Sequence, residues 1–93
     1  MVTHVHAYHI LVKSQPEALS VLEELKKGAS FEKMAQLKST CPSGKNGGDL
    51  GWFGRGKMVR AFELVAFNMK KGEISQPIKT EFGWHIIKVV DTK

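Results

Sequence analysis

Tyr8-His9-Ile10-Leu11-Val12, near the start of the chain, and Trp84-His85-Ile86-Ile87-Lys88-Val89, near its end, decide how the rest is read. Each sets one histidine inside a short apolar run. In extended conformation Ala7, His9 and Leu11 share one face and Tyr8, Ile10 and Val12 the other, so Val5 to Val12 are expected to form a strand buried on part of both faces. A histidine there has to satisfy its ring nitrogens inside the protein. Two such strands side by side would let His9 and His85 bond to one another. On residues alone the pair reads at least as well as a satisfied core feature as it does as a reactive one. Cys41 and Thr80 are the groups that could extend it into a small polar network.

Outward from the first strand, Ser14-Gln15-Pro16-Glu17 has the form of a capping box with proline in the first turn. Ala18, Leu22 and Leu25 then recur at helical spacing until Gly28, so a helix is expected from Gln15 to Lys27. Ser30 is placed to cap a second helix with Phe31, Met34 and Ala35 as its apolar stripe and Leu37 beside it, ending near Thr40. Cys41 to Gly56 is a glycine-dense loop with a short apolar core at Leu50, Trp52 and Phe53. So long an irregular stretch in a small domain is usually functional or disordered. Val59, Phe62, Val65, Ala66 and Met69 return to helical spacing, closed by Lys70-Lys71-Gly72. Gln76 to Lys79 and Trp84 to Val90 read as a strand pair around Thr80-Glu81-Phe82-Gly83. The order strand, helix, helix, loop with a short strand, helix, strand, strand predicts an α+β fold, with helices covering a small antiparallel sheet.

At 93 residues the chain has room for one domain, residues 1–93, which excludes a two-domain cofactor enzyme. Hydrophobic residues make up 42% and charged residues 25%, a globular composition. Leu64-Val65-Ala66-Phe67 is far short of the roughly 20 apolar residues of a membrane helix, and the first six residues hold no secretory apolar core. A soluble, cytoplasmic monomer with no membrane contact is therefore expected. Cys41 is the sole cysteine, in keeping with a reducing compartment. The net charge of +5 raises acidic partners and nucleic acid, but the basic residues are spread from Lys13 to Lys93 as a solvated surface would place them.

Several constellations could carry chemistry. Gly51-Trp52-Phe53-Gly54-Arg55-Gly56-Lys57 has the spacing of a phosphate loop, but Met58 follows where magnesium needs Ser or Thr, so the match is a coincidence. His4, His6 and His9 offer nitrogen ligands without a matching Cys or acid; no metal is expected. Cys41 with His9 or His85, and with Asp49, has the residue types of a thiol nucleophile, types too common to be specific. Met58, Phe62 and Phe82, with Leu50 as an extra wall, would make a compact apolar pocket. For any one of them ordinary core is the stronger prior, and the glycine-rich loop is the contrary weight.

Four ordered blocks span nearly the whole chain. They are His9-Ile10-Leu11-Val12-Lys13; Cys41-Pro42-Ser43-Gly44-Lys45 leading to Gly48-Asp49-Leu50-Gly51; Gly56-Lys57-Met58 followed by Phe62; and Phe82-Gly83-Trp84-His85-Ile86-Ile87. Together they resemble the parvulin family of peptidyl-prolyl cis-trans isomerases, most of all its small single-domain bacterial and archaeal members. The resemblance implies a four-stranded antiparallel sheet surrounded by helices. It aligns His9 and His85 with the family's paired histidines, Cys41 with its Cys/Asp position and Thr80 with a hydroxyl of the same network. It places Met58, Phe62 and Phe82 in a proline pocket with Leu50 at its edge. Lys13 runs straight into the Ser14 cap without the extra basic loop of phosphate-selective members, so selectivity for phosphorylated Ser/Thr-Pro is not expected.

The implied function is rotation of Xaa-Pro bonds in proline-containing peptides and unfolded or flexible clients. No cofactor is expected. Rotation about the Xaa-Pro bond breaks amide resonance, a barrier of ~18–20 kcal/mol, and no σ bond. An apolar slot beside a polar network is then sufficient, and Cys41 is expected to tune the site rather than attack. The histidines are expected chiefly to hold sheet and network in place. A non-catalytic peptide-binding or chaperone module using the same groove is the alternative. A basic nucleic-acid adaptor, with Trp52 near Arg55 and Lys57, is the third reading.

Overall fold

The computed structural model describes residues 2–93. The sheet is framed by the two histidine strands: β1 (His4–Val12) and β4 (Gly83–Thr92) pair antiparallel at its centre. β2 (Asp49–Gly54) adds to the free side of β1, and β3 (Ile78–Thr80) to that of β4, giving the order β2-β1-β4-β3 with every pair antiparallel. Burial on both faces of β1 follows from its alternation. Val5, Ala7, Ile87 and Val89 face Phe53, Phe62 and Phe67, while Ile10, Val12 and Ile86 face Ala18, Leu22, Phe31 and Ala35. The sheet thus separates two cores, one under α3 (Arg60–Ala66), the other under α1 (Gln15–Lys26) and α2 (Phe31–Lys38).

Local chemistry sets the element ends. The Ser14 side chain accepts from the Glu17 backbone N–H and Ser30 from that of Lys33, satisfying donors that the first turns of α1 and α2 leave open. α2 stops at Lys38, two residues before the expected Thr40. Ser39 leaves the helix to accept hydrogen bonds from the backbones of Leu11 and Cys41. The Cys41–Gly56 stretch is more ordered than a loop, comprising a 3₁₀ turn (Pro42–Asn46) followed by β2.

Two further expectations shift. The third helix ends at Ala66, because Asn68 and Met69 donate to Val65 and Ala66 in the tighter three-residue pattern; Met69 still reaches the core, from a turn. The strand expected at Gln76 to Lys79 is displaced to Ile78–Thr80. Pro77 has no N–H for a ladder, and Ser75 is already committed to Ile87 through both its N–H and its side chain. No helix of the described residues is long and apolar enough to cross a membrane.

Candidate active site

The β1–β4 register pairs His9 with Ile87 and Leu11 with His85, so the two histidines are diagonal neighbours on the α3 face. Their Nδ1 atoms share a hydrogen bond at 3.0 Å, with the rings nearly parallel and their centroids 5.2 Å apart. Thr80, at the end of β3, lies 2.7 Å from His85 Nε2 and accepts from the Phe82 backbone N–H. On the other side His9 Nε2 lies 3.1 Å from the Ser43 hydroxyl, which donates to Cys41 Sγ at 3.3 Å. The polar network is thus a chain: Thr80, His85, His9, Ser43, Cys41.

Phe62 packs against the network. Its ring stands edge-on to both imidazoles, at 5.6 Å from His9 and 5.4 Å from His85. Phe62 and the pair together face a cavity of about 500 Å³, walled also by Leu50, Met58, Phe82, Leu11 and Val59 and reached by Cys41. Its size is within the roughly 300–1,000 Å³ of small-ligand sites. Phe82 is 64% exposed although it stands in this wall, leaving an aromatic face for an occupant to cover.

Both imidazoles are held neutral. Burial pushes His9 down from 6.5 to about 4, helped by the repulsion a second charge on His85 would bring. Burial likewise lowers His85. The unfolded chain therefore takes up protons at a higher pH than the folded one. The contribution is fully present above pH 6.5 and is lost as pH falls towards 4, on the order of 2 to 3 kcal/mol for His9. Urea midpoints are expected to fall between pH 7 and pH 5, while the ring-proton NMR shifts of His9 stay those of neutral imidazole and His85 titrates below its ordinary 6.5. Either ring titrating near 6.5 would reject the assignment.

All eight sequence-derived site residues converge here. His9, Cys41, Thr80 and His85 lie on the network; Leu50, Met58, Phe62 and Phe82 lie in the cavity wall. Asp49 does not join them, because it accepts from His6 Nε2 at 3.0 Å and from the Gly51 backbone. His4 and His6 lie on the opposite face of β1 from His9, so the three rings do not meet at a metal. Gly51–Gly54 of the phosphate-loop look-alike is strand β2. Trp52, Arg55 and Lys57 diverge: Lys93 lies over the Trp52 ring, Arg55 over Phe67, and Lys57 sits at the cavity.

Sequence reasoning missed Ser43, whose only signal was a hydroxyl two residues beyond Cys41 in a Gly-rich stretch. Leu11 was within reach, since alternation puts it on the His9 face.

Comparison with known proteins agrees with this geometry. Residues 9–91 match the family model described as Rotamase, the PPIC-type PPIASE domain. The chain is 53% identical over 88 residues to foldase protein PrsA of Geobacillus kaustophilus, covering 94% of this chain and 31% of that protein. It spans about a third of the length of the curated relatives it matches. The crystal structure of the peptidylprolyl isomerase PrsA from Bacillus anthracis superposes with a TM-score of 0.96 at 41% identity, covering 99% of this chain and 43% of that one. NmPin, the parvulin of Nitrosopumilus maritimus, superposes at 0.87 with 47% identity, covering 96% of this chain and 97% of that one. With the family model matched over nearly its whole length, the chain belongs to the PpiC-type peptidyl-prolyl cis-trans isomerases, the parvulins.

Proposed function

We propose that residues 1–93 act as one domain and a monomer, turning Xaa-Pro bonds of extended, unphosphorylated protein segments by a non-covalent route that assists folding. The observation that carries this reading is the apolar cavity set directly on a histidine pair whose four ring nitrogens are all hydrogen-bonded. Met58, Phe62, Leu50 and Phe82 would grip the proline ring, exclude water and leave the preceding carbonyl free to swing. Twisting the amide removes its resonance, so a dry site that holds the twisted form better than either planar form lowers the barrier. The clients follow from the exposed Phe82 wall and from the PrsA relatives, which are named foldases. A cytoplasmic location, away from membranes, belongs to the same reading, supported by the single cysteine; fractionation of the native cells tests it.

Cis-trans exchange by NMR on Xaa-Pro peptides tests the function, with Xaa apolar, basic or acidic. Catalytic amounts of protein are expected to accelerate exchange, and Met58→Ala to raise KM. Line broadening without acceleration would leave the chaperone reading, a groove that binds and does not turn over. Cys41→Asp is expected to retain turnover, because a carboxylate accepts from the Ser43 hydroxyl as the sulfur does. Complete loss of activity with the fold intact, plus a trapped adduct on the wild-type thiol, would establish a covalent route.

A further inference from the structure

The Cys41 sulfur stops short of the imidazoles, and Ser43 is the link: its hydroxyl donates to Cys41 Sγ, and the same oxygen lies 3.1 Å from His9 Nε2. A hydroxyl has one proton. Once that proton is directed at the sulfur, His9 Nε2 has to be the donor in its bond to Ser43. A neutral imidazole carries one N–H, so His9 Nδ1 becomes an acceptor and His85 Nδ1 the donor across the 3.0 Å contact. His85 Nε2 then accepts from the Thr80 hydroxyl, whose oxygen accepts in turn from the Phe82 backbone. From Ser43 to Thr80 every hydroxyl and ring proton is used once, and the direction of the whole chain is set at its Ser43 end.

We propose that Ser43 is a positioning residue for the isomerisation: it sets the tautomers of His9 and His85, and with them the ring dipoles that face the twisting amide. The inference rests on the isomerase reading above. Cys41 and Pro42 line the cavity, whereas Ser43 stands behind it, bonded to His9. It therefore acts through the histidines and not on the substrate.

Ser43→Ala takes away the acceptor of the His9 Nε2 proton. A buried N–H without a partner is harder to accommodate than a bare lone pair. The chain is expected to reverse, with His9 protonated on Nδ1 and His85 on Nε2, the latter donating to Thr80. Ring-nitrogen NMR shifts read this directly in the intact protein, and peptide exchange reads its consequence.

Wild type is expected to show His9 protonated on Nε2 and His85 on Nδ1. Ser43→Ala is expected to invert both, with kcat down about tenfold, the lower end of what partners that orient ligating histidines are worth. KM should stay unchanged, and Ser43→Thr should restore both tautomers and rate. Unchanged tautomers in Ser43→Ala would overturn the proposal, whether or not the rate falls, since a rate loss without inversion means mere support. Wild-type protein that fails to accelerate exchange would overturn the isomerase reading instead, while the ring-nitrogen shifts still decide what Ser43 does.

Discussion

Phe62→Ala is expected to lower stability by about 3–5 kcal/mol and to slow Xaa-Pro exchange at least about a hundredfold. The ring is 2% exposed and packs on Phe53 as well as on both imidazoles, so its removal extends the cavity into the α3 core beside the network, leaving a void there. A 93-residue domain has roughly 5–14 kcal/mol of stability in all, so the variant should be folded but marginal. The same void admits water beside His9 and His85, weakening the burial that holds them neutral, and their titration should move up towards 6.5. Phe62→Leu separates the two effects: it keeps most of the apolar volume and the fold but loses the edge-on contact with the rings. Urea midpoints, ring titrations and exchange rates on both variants check this. Full activity in a folded Phe62→Ala protein would remove Phe62 from the site.

How far the site could be read in advance depended on which residues carry a period. His9 and His85 stand in strands whose alternation is plain in the sequence, and a strand histidine has to bond inward, so their pairing was open to derivation. Met58 and Phe62 are four apart, the spacing of any helical core stripe. On residues alone a pocket was one reading and ordinary core the stronger one, and the resemblance turned the balance, because what separates wall from core is the empty space opposite them, which no spacing encodes. The helix boundary at Ala66 escaped for a related reason. Met69 keeps the apolar period, while the change to three-residue hydrogen bonds is a backbone event without a side-chain signature. Ser43 escaped because its role depends on where a 3₁₀ turn lands against β1, and that landing is set by a glycine.

That glycine is Gly48, and Gly48→Ala is expected to cost at least about 4 kcal/mol and to abolish exchange even in the fraction that folds. Its φ is +87°, a conformation that costs an ordinary residue about 1–2 kcal/mol. The larger part is contact. A Cβ would drive into the His9 carbonyl oxygen and lie 3.2 Å from the Ala35 side chain. Neither can yield cheaply, because the Gly48 carbonyl accepts from the His9 N–H at 2.9 Å and the Gly48 N–H donates to Ser43 at 2.8 Å. The added methyl therefore pushes the segment bearing Cys41 and Ser43 away from the strand bearing His9, and the Ser43 to His9 bond is lost with it. Gly28→Ala is the control: φ is +103° there, and an added Cβ meets nothing within 4 Å, so backbone strain acts alone. The difference in urea midpoint between the two variants measures the contact, and exchange should be lost in Gly48→Ala only. Equal costs in the two variants would mean that the 3₁₀ turn and β1 are not held in register by this close approach, and Ser43 would then need another reason to stand where it does.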